Sequence, residues 1–107
     1  MAGDIDNLIK LIKDHFVFDE KNYPELTGAS EQGKLNFAVR HSALHFAKTA
    51  GKIAAVSEHV DHNGEMDTHA LRENVSKTLI NTLRLAELVG MTEKDITEAI
   101  QKNITNE

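Results

Sequence analysis

Six histidines and two lysine-bearing stretches carry most of the chemistry this chain has to offer. His41 and His45 stand four residues apart, and His69 stands four before Glu73, a spacing that places both members of a pair on one helix face and suits zinc. His59 and His62, with Asp61 and Glu65, flank a turn that could form a loop metal site. Two ligands at helical spacing are a weak motif, and the plainer reading is that these histidines occupy interface or partly buried polar positions. In Lys48-Thr49-Ala50-Gly51-Lys52 and Glu73-Asn74-Val75-Ser76-Lys77, Lys52 follows Thr49 by three residues and Lys77 follows Asn74 by three. Each pair therefore shares a helix face. Ammonium, hydroxyl and amide groups are hydrogen-bond donors, and such a set suits an anion better than a cation.

Other chemistries find no support. There is no Ser-His-Asp ordering, no glycine-rich phosphate loop and no alternation of basic and aromatic residues, and the absence of cysteine excludes disulfides, thiolate metal sites and a cysteine nucleophile. A formal charge of −5 gives no global basic field, so no nucleic-acid partner is expected. No apolar run approaches the ~18 residues of a membrane span, and Met1-Ala2-Gly3-Asp4 lacks a charged segment followed by an apolar one. A soluble, cytoplasmic protein with no membrane partner is the expectation. At 107 residues the chain fits one domain, with a core small enough for association to add to it.

The elements that must position these residues are helices. Ile5, Leu8, Ile9, Leu11 and Ile12 recur at helical spacing from Asp4 to about His15, with Asp4 or Asp6 available as a cap. Phe16 to Gly28 holds Pro24 and three aromatics, Phe16, Phe18 and Tyr23, and reads as an ordered connection whose rings dock onto the bundle. A second helix opens at Ser30-Glu31-Gln32 and runs to about His59 or Val60. Asp61 to Glu65 forms a turn, Asp67 or Thr68 caps a third helix to about Val89, and Gly90 ends it. Thr92 with Asp95 forms a capping box for a fourth helix through Ile96, Ala99, Ile100 and Ile104, with disorder confined to residues 105–107. The fold class is all-α, an antiparallel bundle of about four helices forming a single domain over residues 1–107. Phe16, Phe18, Phe37 and Phe46 could stack on a base, but aromatics at helical spacing are usually core, and Phe46 is assigned there.

The run Asn81-Thr82-Leu83-Arg84-Leu85-Ala86-Glu87-Leu88-Val89-Gly90-Met91-Thr92, the pair Lys102-Asn103 and Gly51 together resemble the MazG-like nucleotide pyrophosphohydrolases over about residues 37–103. That resemblance implies paired helices carrying an E-x-x-E and an E-x-x-D motif around magnesium, and assembly as a homo-dimer or homo-tetramer. Laid over these anchors, the family's carboxylates fall at Thr49 and Lys52 and at Asn74 and Lys77, where none is present. Magnesium requires hard oxygen ligands, and two ammonium groups repel it. In the implied register His41 and His45 lie toward Asn81 and Leu85, far from His69, so a single four-ligand metal site is not expected.

The reading that follows is a catalytically inactive MazG-like domain, with no catalytic or metal-binding residue and no cofactor, that holds a nucleotide-like anion. Its ligand-binding residues are Thr49, Lys52, Asn74 and Lys77, with Arg84 able to reach a phosphate and Asn103 able to close over the pocket. Two rivals remain. The first is an active magnesium-dependent pyrophosphohydrolase using displaced ligands such as Glu58, Asp61, Glu65 and Glu73. The second is a helical protein-interaction module with a vestigial pocket. In the plainest case Lys52 and Lys77 reach solvent and pair with Glu58, Glu65 or Glu73, and Arg84 forms a surface pair with Glu87 or Glu73.

Overall fold

Helix signals in the sequence translate directly into a computed structural model that describes residues 3–106. Among these described residues four α-helices follow in order, α1 (Asp4–His15), α2 (Glu31–Asp61), α3 (Thr68–Leu88) and α4 (Glu93–Thr105), with a 3-10 turn at Pro24–Leu26 between α1 and α2. No strand occurs among the described residues. Thr105 is the last residue of α4, so the end expected to be disordered is helical up to that point, and Glu107 lies outside the described residues.

The helix starts are built from local capping. The Ser30 hydroxyl accepts from the Gly33 amide at 3.0 Å, and the Asp67 carboxylate accepts from the Ala70 amide at 2.9 Å. At α4 the expected capping box forms in both directions between Thr92 and Asp95. The start of α1 differs from expectation. Neither Asp4 nor Asp6 caps it; the Glu93 carboxylate accepts from the Ile5 amide at 2.8 Å, and Asp6 accepts from the Glu93 amide at 2.8 Å. Two helix N-termini thus exchange acidic side chains, each satisfying free donors and the positive end of the other helix.

Both long helices stop in the same way. Gly64 N–H donates to His59 and Asn63 N–H to Val60 at the end of α2, and Met91 N–H donates to Ala86 and Gly90 N–H to Glu87 at the end of α3. This is the Schellman pattern, which needs a left-handed residue just past the helix, supplied by Asn63 (φ 68°) and Gly90 (φ 78°). The resulting short turn folds α3 back along α2, and that antiparallel pair is the main contact of the molecule.

The core is small and unusually polar. Its buried apolar residues are Ile12, Leu26, Ala38, Leu83 and Ala86, and beside them Ser42, Thr49, Asn74 and Arg84 are also buried. On α2 the buried positions are Ala38, Ser42 and Thr49, small residues that let α3 approach closely. α1 adds a second, shorter contact on α3, whereas α4 has no buried residue. Phe46 corrects the core assignment: it is exposed, because it stands beside the stripe of Ala38, Ser42 and Thr49 that α2 buries and not on it. Phe18 and Tyr23 do dock on the bundle as expected, stacked at 5.3 Å with interplanar angle 18° and set edge-on to Phe37 of α2.

This arrangement leaves much surface uncovered. The chain exposes 7963 Å², against about 6,000 Å² for a folded monomer of this mass. Its radius of gyration is 16.6 Å, against roughly 13 Å for a compact domain of this length. Gly51 stands in the middle of α2, where glycine costs about 1 kcal/mol relative to alanine. A Cβ there would meet nothing of this chain within 4 Å, so no contact within the chain explains it.

Candidate functional site

Along one flank of α2, His41, His45, Lys48 and Lys52 recur at spacings of four, three and four, and the facing flank of α3 carries Lys77, Ile80, Asn81 and Arg84. The floor between them holds buried Ser42 and Thr49. Ile12 and Phe16 at the end of α1, with Phe18 and Tyr23 of the following connection, close one end. Two cavities result, one of about 290 Å³ among the rings and one of about 260 Å³ beneath the lysines. They share Phe16, His45, Ile80 and Asn81 as walls, so they lie side by side along one groove, an aromatic cavity next to a cationic one.

Arg84 is the most constrained group in the aromatic end. It is 7% exposed, its guanidinium carbon lies 4.6 Å from the centroid of the Phe18 ring, and its Nη1 donates to Glu87 Oε2 at 3.1 Å. Its Nε is buried without a hydrogen-bond partner. Burial pushes the guanidinium below its usual pKa, opposed by Glu87, yet arginine remains a cation at neutral pH. The ion pair with Glu87 was foreseen but not its setting, because the aromatic connection covers what would otherwise be an exposed face of α3. A buried donor with no acceptor costs free energy unless a ligand or water supplies one.

His41 and His45 sit beside it with ring centroids 4.6 Å apart, and His41 Nε2 lies 3.4 Å from the Tyr23 hydroxyl. Burial lowers the His41 pKa, and the neighbouring His45 lowers it further, against a smaller raising effect of Glu25. His41 is therefore neutral at pH 7. Its folded-state pKa lies below the unfolded one, so the unfolded chain binds more protons as pH falls through the ordinary histidine range, and stability is lost in that direction. Melting temperatures at pH 7 and pH 5 are expected to differ less in His41→Gln than in the parent; an equal difference would remove His41 as a source of acid sensitivity.

The structure divides the residues singled out from sequence. Thr49, Lys52 and Lys77 line the cationic cavity together. The Thr49 hydroxyl, however, is occupied: it accepts from Thr78 Oγ1 across the helix pair at 2.8 Å and donates back to the carbonyls of His45 and Phe46. Thr49 therefore helps to lock α2 to α3 and faces Thr78, not Asn74. Asn74 is buried one turn away, where its amide donates to the Ala70 carbonyl at 2.8 Å and its Oδ1 has no partner; it joins Lys52, Val56 and His59 around a separate open depression. Asn103 is exposed on α4, and the lining of the groove does not include it.

The lysines also divide. Lys77 reaches Glu73 at 3.1 Å, as in the plain surface reading, and this contact holds the Glu73 carboxyl below its ordinary range, with lesser help from His69 and Lys52. Lys48 and Lys52 have no carboxylate within 4 Å among the described residues. The displaced acidic residues Glu58, Asp61, Glu65 and Glu73 are not gathered: no group of three or more His, Asp or Glu among the described residues is placed to hold a metal ion.

Comparison with models of known families, with curated proteins and with solved structures found no match. The case for a function accordingly rests on the groove. His41, His45, Asn81 and the rings of Phe18 and Tyr23 belong to it without having been counted as site residues from sequence. The spacing of 41, 45, 48 and 52 along one flank was a readable signal for the histidines; the rings reach the groove only through the path of the connection. Among the described residues no helix is long and apolar enough to cross a membrane.

Proposed function

We propose that this helical domain binds a nucleotide-like ligand without metal and without turning it over. The aromatic end takes the ring system and the lysine end takes the phosphate, in a homo-oligomer that carries one groove per chain. The observation that supports this most is the junction of the two cavities. A buried, incompletely paired guanidinium and stacked rings lie at one end, and ammonium groups at the other, with shared walls between them.

Physical chemistry favours this division of the ligand. Flat heteroaromatic rings gain dispersion and quadrupole contacts against Phe18 and Tyr23, and their ring nitrogens and carbonyls are acceptors for the Arg84 guanidinium. Phosphate oxygens at the other end would relieve the mutual repulsion of Lys48, Lys52 and Lys77. The joined cavities fall within the roughly 300–1,000 Å³ that small-molecule sites span. Thr49 and Asn74 then act as framework, and Asn103 has no part in this groove. The scattered carboxylates give the active-hydrolase rival no metal cradle among the described residues.

A thermal-shift screen over nucleoside mono-, di- and triphosphates and cyclic nucleotides, with and without magnesium, tests the reading. A ligand at 100 times its dissociation constant adds ~2.7 kcal/mol of stability, visible in a domain this small. The expected result is a shift with at least one nucleotide that persists in a chelator and disappears in Lys52→Ala/Lys77→Ala. No shift with any nucleotide would leave the protein-interaction module as the better account, and a shift retained in the double variant would move the phosphate elsewhere.

A further inference from the structure

The flank of α2 turned away from α3 has a pattern the groove does not use. Arg40, Leu44, Ala47, Gly51, Ala54 and Glu58 follow one another at spacings of four, three, four, three and four, one continuous stripe along the helix with small residues at its middle and opposite charges at its ends. All six are exposed, Leu44 at 64%. Arg40 and Glu58 have no ion-pair partner within 4 Å among the described residues.

We propose that this face is the interface between two copies of the chain, their α2 helices packed antiparallel about a two-fold axis level with residue 49. A two-fold interface must be self-complementary, since each residue that meets a partner residue is met by it in return. The six positions satisfy that condition in pairs. Ala47 meets the partner's Gly51, Leu44 meets the partner's Ala54, and Arg40 meets the partner's Glu58, each pair being symmetric about position 49.

Chemistry agrees with geometry at every level of the seam. Small residues at the centre let the helix axes approach toward the ~8 Å lower end of ordinary packing, and Leu44 covers the short Ala54 on either side. Opposite charges fall at both ends, so the antiparallel register is favoured, whereas a parallel pair would set Arg40 on Arg40 and Glu58 on Glu58. Gly51 acquires the reason its own chain does not supply, because the partner backbone passes over it. The chain as a whole exposes 7963 Å², about 2,000 Å² above the expectation for its mass, which leaves room for the roughly 800 Å² per partner that a standard interface covers.

Sedimentation equilibrium of the full chain over a concentration series tests this, with a dimer of 11.9 kDa chains expected. Arg40→Glu sets like charges opposite each other and should weaken the dimer by about tenfold or more, while Arg40→Glu/Glu58→Arg should bring it back to within about threefold of the parent. Gly51→Leu should give a monomer with unchanged helical circular dichroism, because a side chain at that position meets nothing of its own chain within 4 Å. A parent that sediments as a single chain would overturn the proposal. So would a dimer undiminished in Gly51→Leu, or a double charge reversal that fails to restore what Arg40→Glu removes. None of the six residues lines the groove, so the dimer and ligand binding can be lost separately.

Discussion

Replacing Arg84 by methionine is expected to leave the unliganded domain within about 1 kcal/mol of the parent's stability, or to raise it, while eliminating the nucleotide-induced thermal shift. Arg84 combines burial, one contact with Glu87 and an Nε with no partner, so the desolvation of its charge is incompletely compensated. Methionine keeps most of the volume and offers Phe18 a sulfur contact of ~0.3–1.5 kcal/mol in place of the cation–π contact. Glu87 is not stranded by the change, because it remains partly exposed and Lys13 Nζ stands 4.0 Å from it. Urea denaturation and the nucleotide screen, run on the same variant, separate the two effects. Arg84→Met that loses several kcal/mol would make the guanidinium a structural group, and one that keeps the nucleotide shift would remove it from the site. Arg84→Ala, which also leaves a void against Phe18, should lose about 1–3 kcal/mol more than the methionine variant.

Leu83→Ala is expected to destabilise the domain by about 2–4 kcal/mol and to lower its melting temperature by roughly 10–20 °C. Among the described residues only five apolar ones are buried, so one of the two leucines among them is a large share of the core. Domains of this size hold roughly 5–15 kcal/mol in total, and part of the variant population would be unfolded near physiological temperature. Leu79→Ala is the control on the same helix. Leu79 is 52% exposed, and truncating it should cost no more than about 0.5 kcal/mol. Similar losses in the two variants would mean that a surface not covered within one chain becomes buried in solution.

The secondary structure was legible because its causes are local. Ser30, Asp67 and the Thr92–Asp95 box act on amides three residues away, and Gly90 ends α3 through its own backbone freedom, so each can be read from the order of residues. The pairing of α2 with α3 follows from the short turn between them. That pairing also put His41 and His45 opposite the Asn81 region, where the structure has them lining one cavity with Asn81 and Arg84. The capping of α1 was not legible, since Glu93 is 88 residues from Ile5 and only the meeting of two helix ends makes it a cap.

The order of residues settles an all-α chain with helical stretches near these boundaries, rich in donors on facing flanks of α2 and α3. Tertiary structure alone decides what those donors are free to do. An axial offset of about one helical turn between α2 and α3 sets Thr49 against Thr78 and not Asn74, places Asn74 in a different depression from Lys77 and leaves Lys48 and Lys52 without carboxylates. The path of residues 16–23 converts Arg84 from a surface cation into the buried end of an aromatic groove. Helical periodicity specifies a face only to within neighbouring positions, whereas a hydrogen bond or a cavity wall depends on ångström distances set by packing between elements remote in the chain.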